Sequence, residues 1–319
     1  MIGILSSNDM EEEYAKILHS LFQNCKSSVN EDIVVFTTLN INLQKMEVSG
    51  TLISQDKLRT VQAPLPSVIF NFSLQKEGSG IKIRKALEEM EGLRLINYIN
   101  KFDQWMIMEM ISSNERAKAY LLPYYVYDKA KRDYRPEENK KYITMPSRGA
   151  SLSRVIYAEP DPDPDSDIVR GSQYFKKGHI CDYIDASLCQ RKWLFIEIPD
   201  LELYNNHPIV CRVYMQKIDH KKWGVLKMVL FPDPNMQKSE NINFQFAERA
   251  AKDLIQEINN FLPSIGHCFI DMIFSKDGNG YFLHLGGLDQ YFFREVLKGD
   301  VANKFYKNII SLSRYYRAT

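Results

Sequence analysis

The stretch "CFIDMIFSKDGNGYFLHLGG", residues 268–287, contains two apolar runs separated by a short polar turn. The first run predicts a buried strand with one carboxylate, Asp271, and the second predicts a strand that stops at Gly286 and Gly287. Because glycine has no Cβ, a ligand can come close to the backbone where such a strand ends. The strand pair therefore predicts a place where a ligand can be held.

The composition limits the classes of partner. The chain has 319 residues, with 41 Lys and Arg against 40 Asp and Glu, so no strong field steers it towards nucleic acid or acidic membranes. The first residues become acidic before a signal-peptide core forms, and the sequence has no run of about eighteen apolar residues. We therefore expect a cytoplasmic protein with no nucleic-acid or membrane partner.

The cysteines also argue for a reducing compartment. They number five and form no C-x-x-C pair: Cys25, Cys181, Cys189, Cys211 and Cys268. An odd, scattered set argues against a zinc ribbon or a disulfide framework. Cys211 and Cys268 lie in apolar runs, where we expect buried small side chains rather than nucleophiles.

Strand and helix patterns alternate through the first part of the chain. This alternation predicts an N-terminal α/β domain over residues 1–97, with a mainly parallel sheet. The next segment, "KFDQWMIMEMISSN", predicts a helix that places Trp105, Met108 and Ile111 on one face.

The rest of the chain, residues 188–319, predicts larger strands, a long helix over residues 243–262 and a final helix over residues 300–317. Two earlier segments predict no regular element in the core. "DKAKRDYRPEENKK" (128–141) is charged and lacks periodicity, and "EPDPDPDSD" (159–167) carries prolines that forbid a helix or a central strand.

Four stretches carry a resemblance to a known family: "PLPSVIFNFS" (64–73), "LINYINKFDQWMIMEMI" (95–111) with "YLLP" (120–123), "FIEIPDLELYNNHPIVCRVYMQK" (195–217) and "FIDMIFSKDGNGYFLHL" (269–285). Their order and spacing over residues 60–290 resemble the ATP-grasp proteins, and specifically the bacterial YheC/YheD family associated with spore coats. The resemblance implies an α/β fold of the ATP-grasp type. Residues 1–97 would form an N-terminal α/β domain, residues 98–187 a small lid, and residues 188–319 a C-terminal antiparallel-sheet subdomain.

The resemblance also implies a nucleotide site, with lysines and a glycine-rich loop for the phosphates and oxygen ligands for Mg²⁺. Several of these groups are missing. Gln104 and Met145 stand where the lysines are expected, and "RGASLSRVI" (148–156) has only one glycine. His284 and Gly286 stand where a Glu-x-Asn motif is expected. Asp271 remains as the candidate metal ligand.

The candidate nucleotide-binding residues are Arg148, Arg154, Glu197 and Arg212. Arg212 matches a family arginine, and Glu197 lies where the hinge would meet the adenine. Arg148 and Arg154 could supply positive charge to the phosphates.

Structural interpretations of the same residues stay open. Arg212 could instead pair with Glu197 or Asp271, Glu197 could cap the hinge, and Asp271 could be a hydrogen-bonded carboxylate between strands. His284 could join Asp271 and His267 at a transition metal, although a strand histidine bonded to nearby backbone is favoured.

Three functional hypotheses follow. The leading one is a degenerate YheC/YheD-like protein in which ATP and Mg²⁺ binding is weak or absent. It would act as a binding or scaffold partner of an active ATP-grasp paralogue or of spore-coat proteins, in the cytoplasm or associated with the spore. Another is an active ATP-dependent carboxylate–amine ligase that uses Arg148 or Arg154 with Asp289 as a replacement ligand. The remaining one is a homo-oligomeric structural protein.

Overall fold

A computed structural model describes residues 1–24, 31–54, 57–74, 78–128, 130, 137, 140–148, 152–160, 167–171, 174–177, 184, 192–234 and 242–319. The described part of the chain contains three principal sheets, one small two-stranded sheet and the helices that pack on them. The strands are β1 Ile2–Ser6, β2 Ile33–Thr37, β3 Ile41–Asn42, β4 Glu47–Ile53, β5 Leu58–Pro64, β6 Val68–Asn71, β7 Arg94–Ile96, β8 Tyr124–Asp128, β9 Lys141–Pro146, β10 Ile156–Pro160, β11 Asp167–Gly171, β12 Tyr174–Lys177, β13 Lys192–Ile198, β14 Leu203–Tyr204, β15 His207–Pro208, β16 Val210–Lys217, β17 Trp223–Phe231, β18 His267–Phe274 and β19 Gly280–Gly286. The helices are α1 Glu11–Asn24, α2 Gly78–Glu88, α3 Gln104–Ser112, α4 Glu115–Lys118, α5 Phe244–Phe261 and α6 Gly299–Ala318.

The N-terminal sheet has the order β3-β4-β2-β1-β6-β7, and β5 also pairs with β4. β1 runs parallel to β2 and β6, and β6 runs parallel to β7. Strands β1, β2 and β6 are buried along their whole length, which is why their sequences are continuous apolar runs rather than alternating ones. The predicted parallel core is therefore present, with β4 and β5 added as an antiparallel hairpin.

The middle sheet has the order β12-β11-β10-β9-β13-β8, and its pairs are antiparallel. β13 comes after residue 187 and pairs with both β8 and β9. The domain boundaries at residues 97 and 187 stay a prediction. The acidic segment 159–167 and the charged segment 128–141 fall largely outside the described residues.

The C-terminal sheet has the order β17-β16-β18-β19, and every neighbouring pair is antiparallel, as the resemblance implies. β16 and β18 are buried at every residue because helices cover both faces. Helix α5 packs on one face, and α6, which carries Phe305, packs on the other together with Phe292 and Phe293. Each cluster is a continuous apolar core, so the C-terminal sheet is packed on both of its faces.

Asn97 fastens the N-terminal sheet to the C-terminal sheet. Its Nδ2 donates to the carbonyl oxygen of His267 at 2.7 Å, and its Oδ1 accepts from the backbone N–H of Gly266 at 2.7 Å and of His267 at 3.1 Å. Asn97 has a φ of 59°, in the left-handed region that asparagine tolerates better than most residues. The two sheets therefore meet through buried polar contacts as well as apolar packing.

The predicted face of helix α3 is confirmed, since Met108 and Ile111 are buried and the half-buried Trp105 packs against the same apolar cluster. The buried residues are Gln104, Ile107, Met108 and Ile111. Asp103 caps the helix by accepting from the backbone N–H groups of Trp105 and Met106. The Trp105 ring lies 4.9 Å from the Lys192 Nζ.

Candidate functional site

The centre of the site is a buried ion pair between neighbouring strands. Arg212 on β16 and Asp271 on β18 are direct cross-strand partners. The Arg212 Nε donates to Asp271 Oδ1 at 2.7 Å, and Nη2 donates to Oδ2 at 2.8 Å. Asp271 is fully buried and Arg212 is 5% exposed. The guanidinium therefore forms a bidentate pair that is shielded from water.

Further groups hold Arg212 in place. Its Nη1 donates to Asp289 Oδ2 at 2.6 Å, and the Tyr214 hydroxyl donates to Asp289 Oδ1 at 3.3 Å. The guanidinium carbon lies 3.7 Å from the centroid of the Phe269 ring, a cation–π contact. Tyr214 and Phe269 were missed by the sequence analysis, although both follow the i, i+2 alternation that puts them on the face of Arg212 and Asp271.

Arg212 also sets the protonation of Asp271. Burial alone would raise the pKa of this carboxyl, but the charge and hydrogen bonds of Arg212 outweigh burial, so the pKa is lowered. Asp271 is therefore ionised, and its charge is matched by the guanidinium.

His284 on β19 completes the contacts of Asp271. Its Nδ1 lies 3.3 Å from Asp271 Oδ2, so both carboxylate oxygens are engaged by protein groups. His267 is not part of this contact, since its ring packs on Phe72 at 4.3 Å. Within the described part of the chain, no group of three or more His, Cys, Asp or Glu is placed to hold a metal ion.

Phe269 also fills the space next to Gly286. The two residues are cross-strand partners on β18 and β19, and a Cβ added at residue 286 would overlap the Phe269 ring. An asparagine at this position, as the Glu-x-Asn motif requires, does not fit this arrangement. The adjacent Gly287 is likewise packed against the side chain of Asn100.

Gln104 stands where the first phosphate lysine is expected, and it is fully buried. Its Nε2 donates to the carbonyl oxygen of Leu285 at 2.9 Å, and its Oε1 accepts from the Leu285 N–H at 2.9 Å. The Gln104 amide thus makes one donated and one accepted hydrogen bond with the backbone of β19, as a neighbouring strand would. The backbone N–H of Gln104 donates to the Ser147 carbonyl at 2.6 Å, which ties the same residue to the end of β9.

Met145 stands where the second lysine is expected. It lies on β9, is fully buried, and belongs to the apolar cluster that reaches from the middle sheet to Leu283 and Leu285 on β19. The Met145 side chain is apolar and therefore offers a phosphate neither a hydrogen bond nor a positive charge.

The remaining candidates lie elsewhere. Glu197, at the end of β13, accepts from Lys140 Nζ at 2.9 Å and so does not pair with Arg212. Arg148 is exposed just after β9 and forms a backbone bridge with Asp103. Arg154 is exposed at the end of a 3₁₀ turn, Leu152–Arg154. The structure thus brings together Arg212 and Asp271 but places neither Glu197 nor Arg154 beside them.

The two described cysteines are buried, as predicted. Cys211 and Cys268 are both fully buried, and burial raises the pKa of Cys211 to about 12. Neither is a thiolate at neutral pH, so neither suits a nucleophilic role.

No family model matches the sequence, and no curated protein matches it. Solved structures do match. The D-alanine–D-alanine ligase from Helicobacter pylori is 12% identical, with a TM-score of 0.54 and 98% of each chain covered. The ligase of the same name from Bacillus anthracis, complexed with ATP, is 13% identical, with a TM-score of 0.53 and coverage of 99% of this chain and 98% of that one.

The chain has the ATP-grasp fold. A different enzyme, N5-carboxyaminoimidazole ribonucleotide synthetase from Thermotoga maritima, also matches at a TM-score of 0.53 and 11% identity, over 98% of this chain and 76% of that one. The predicted ATP-grasp architecture is therefore confirmed as a fold. None of the helices in the described part of the chain combines the length and the apolar character that a membrane crossing needs.

Proposed function

We propose that this ATP-grasp chain is a degenerate, YheC/YheD-like protein that performs no magnesium-dependent ligase chemistry and acts as a binding or scaffold partner. The observation that carries the proposal is the bidentate pair between Arg212 and Asp271. The one carboxylate that the resemblance leaves for a metal is already neutralised by a cation of the chain itself.

Electrostatics makes this pair hard to open. Removing one partner of a buried ion pair costs roughly 3–5 kcal/mol, because the other charge is left uncompensated. A Mg²⁺ ion at Asp271 would displace the guanidinium and then lie next to it. His284 is a poor substitute ligand, because Mg²⁺ binds through oxygen atoms.

The phosphate side of the site supports the same proposal. ATP brings about four negative charges, which need nearby cations in a partly desolvated cleft. Gln104 is neutral and engaged with Leu285, and Met145 is apolar. Phosphoryl transfer depends on positioned cationic side chains and on a metal ion. Without both, most of the rate enhancement of this reaction is lost.

The proposed role as a binding partner rests on the parts of the fold that are intact. The apolar cores around the C-terminal sheet are complete although the charged groups are absent, which fits a protein kept for its surface rather than for its cleft. We propose an active ATP-grasp paralogue or a spore-coat protein as that partner, in the cytoplasm of a spore-forming bacterium or on its spore. Co-purification of the tagged chain from sporulating cells tests this part, and recovery of neither class of protein would contradict it.

Calorimetry with ATP tests the loss of the nucleotide site. The full chain is titrated with ATP in the presence and absence of Mg²⁺, with a D-alanine–D-alanine ligase as the positive control. We expect no magnesium-dependent heat from this chain under conditions in which the control binds. Magnesium-dependent binding of comparable affinity would overturn the proposal.

The ligase alternative needs Asp289 as a free metal ligand together with Arg148 or Arg154. Asp289 already accepts hydrogen bonds from Arg212 and Tyr214. Because these contacts would compete with a metal ion for its oxygen atoms, the ligase alternative is less favoured than the proposal above. It is tested by ADP release in the presence of carboxylate and amine mixtures. Release that disappears in Asp289→Asn, and in Arg148→Gln or Arg154→Gln, would establish it in place of the proposal above.

A further inference from the structure

A buried lysine without a carboxylate partner lies at the far end of β16 from the ion pair. Lys217 is 2% exposed, and its Nζ donates to the carbonyl oxygen of Pro263 at 3.0 Å. An ammonium group has three N–H donors, so two of them have no acceptor among the described residues. Arg212, the other cation buried on this strand, is by contrast paired with two carboxylates.

The side chain next to Lys217 on β17 also presents an unpaired donor. Trp223 is the cross-strand partner of Lys217, and the Lys217 Nζ lies 5.5 Å from the centroid of its ring. The residue is 7% exposed, and its indole Nε1 has no hydrogen-bond partner in the described part of the chain. Buried polar groups are almost always hydrogen-bonded, so this N–H needs an acceptor.

The surroundings of Lys217 favour a negative charge. Arg94, at the exposed start of β7, is close enough to lower the pKa of Lys217. The Arg94 guanidinium packs over the Tyr316 ring and forms no ion pair with a described carboxylate. The other titratable side chain that acts on Lys217 is Cys268 on β18, whose thiol is fully buried. The positive potential of the two cations is therefore not compensated by a carboxylate of the described chain.

We propose that Lys217, Trp223 and Arg94 form a binding site for a small oxyanion, either a carboxylate or a phosphate group. The oxyanion accepts from the Lys217 Nζ and the Trp223 Nε1, and Arg94 adds positive charge. An oxyanion fits because it brings several acceptors together with a negative charge, whereas a neutral ligand would leave the buried ammonium uncompensated.

This site is separate from the candidate nucleotide site. Lys217 follows Arg212 by five residues on β16, roughly 17 Å at about 3.4 Å per residue. The oxyanion site therefore neither depends on the proposed loss of ATP chemistry nor tests it.

Indole N–H signals test the site on the full, ¹⁵N-labelled chain. The chain has three tryptophans, and the indole signal that disappears in Trp223→Phe belongs to Trp223. Titration with inorganic phosphate and, separately, with succinate is expected to move this signal saturably, and the tighter probe identifies the class of oxyanion. The Trp105 signal should stay in place, because its Nε1 already donates to Glu109. No saturable movement with either probe, or the same movement with chloride, would overturn the proposal.

Two substitutions test the named cations. Lys217→Met is expected to abolish the response of the Trp223 signal, and Arg94→Gln is expected to weaken the apparent affinity several-fold. The matched control is Lys227→Gln, at an exposed lysine on β17, which should keep the wild-type affinity. Because Arg94 is exposed, its variant also tests the site if Lys217→Met does not fold. An unchanged affinity in Arg94→Gln, or a saturable response that survives in Lys217→Met, would overturn the proposal.

Proton uptake gives an independent measurement. A bound oxyanion favours the charged ammonium, so it should raise the pKa of Lys217 above its value of about 8. Calorimetry should therefore show full affinity below that pH and a progressive loss of affinity as the pH rises towards about 10. The same titration of Lys227→Gln should show the same loss. An affinity that does not change with pH across this window would overturn the proposal.

Discussion

The ring of Phe269 occupies the volume that a side chain at residue 286 would need. The two residues face each other across β18 and β19, and the same ring packs against the guanidinium of Arg212. One aromatic side chain therefore both excludes the expected asparagine and packs against the ion pair of Arg212 and Asp271.

Gly286→Ala is expected to destabilise the protein, because the new methyl group overlaps the Phe269 ring. Overpacking of this kind costs about 1–3 kcal/mol. Urea denaturation measures the loss. The double variant with Phe269→Ala should lose less than the sum of the two single variants, since the clash is then absent. Simple additivity would show that the ring does not constrain residue 286.

Arg212→Met is expected to cost about 3–5 kcal/mol, because it leaves Asp271 charged and buried without its partner. Denaturant unfolding measures the effect. Asp271→Leu added to Arg212→Met should recover much of the stability, since no buried charge then remains. If the double variant is as unstable as the single one, the pair does not carry the energy assigned to it.

The pH dependence of stability should change sign with the same substitution. In the wild type, Arg212 lowers the pKa of Asp271. The stabilisation that ionised Asp271 gives the folded protein is therefore present above the unfolded pKa and is lost as the pH falls through the folded pKa. In Arg212→Met, burial without the cation raises that pKa, so stability should instead fall as the pH rises above about 4. Unfolding curves from acid to neutral pH compare the two proteins, with Asp271→Asn as the control that removes both effects.

Gln104→Lys restores the lysine that the resemblance implies, yet it should destabilise the protein and create no ATP binding. The lysine cannot accept from the Leu285 N–H, and an unsatisfied buried group costs about 1–3 kcal/mol. Thermal unfolding and ATP calorimetry measure the two outcomes. The matched control is Lys101→Gln, an exposed position three residues earlier. Magnesium-dependent ATP binding by Gln104→Lys would contradict the assignment of Gln104 as a structural residue.

Lys217 offers a separate pH test. Burial, reinforced by Arg94, lowers the pKa of this lysine to about 8. The unfolded chain then binds more protons than the folded one between that value and about 10.4, so stability should rise with pH across this window. Lys217→Met should remove the rise, while Lys222→Met, at an exposed lysine, should keep it. Equal slopes in all three proteins would refute the lowered pKa.

The sequence was enough for the fold because the strands that build it are long and apolar. β1, β2, β16 and β18 are continuous hydrophobic runs, and their order along the chain distinguishes the architecture. The cross-strand position of Arg212 and Asp271 was among the expected alternatives, since both lie in such runs.

The details of the site depend on residues far apart in sequence. Gln104 and Leu285 are 181 positions apart, and nothing local to "FDQW" shows that the amide will close an edge strand. The packing of Phe269 over Gly286 depends on the β18–β19 register, which includes a bulge between Asp271 and Met272.

Gln104 is tied through its backbone to the end of β9 and through its amide to β19. A lysine at this position would break a link between two sheets, because it can reproduce only part of these hydrogen bonds. The position that the resemblance assigns to a phosphate-binding cation therefore also joins two sheets, so a cation gained there would come at the expense of the contact between them.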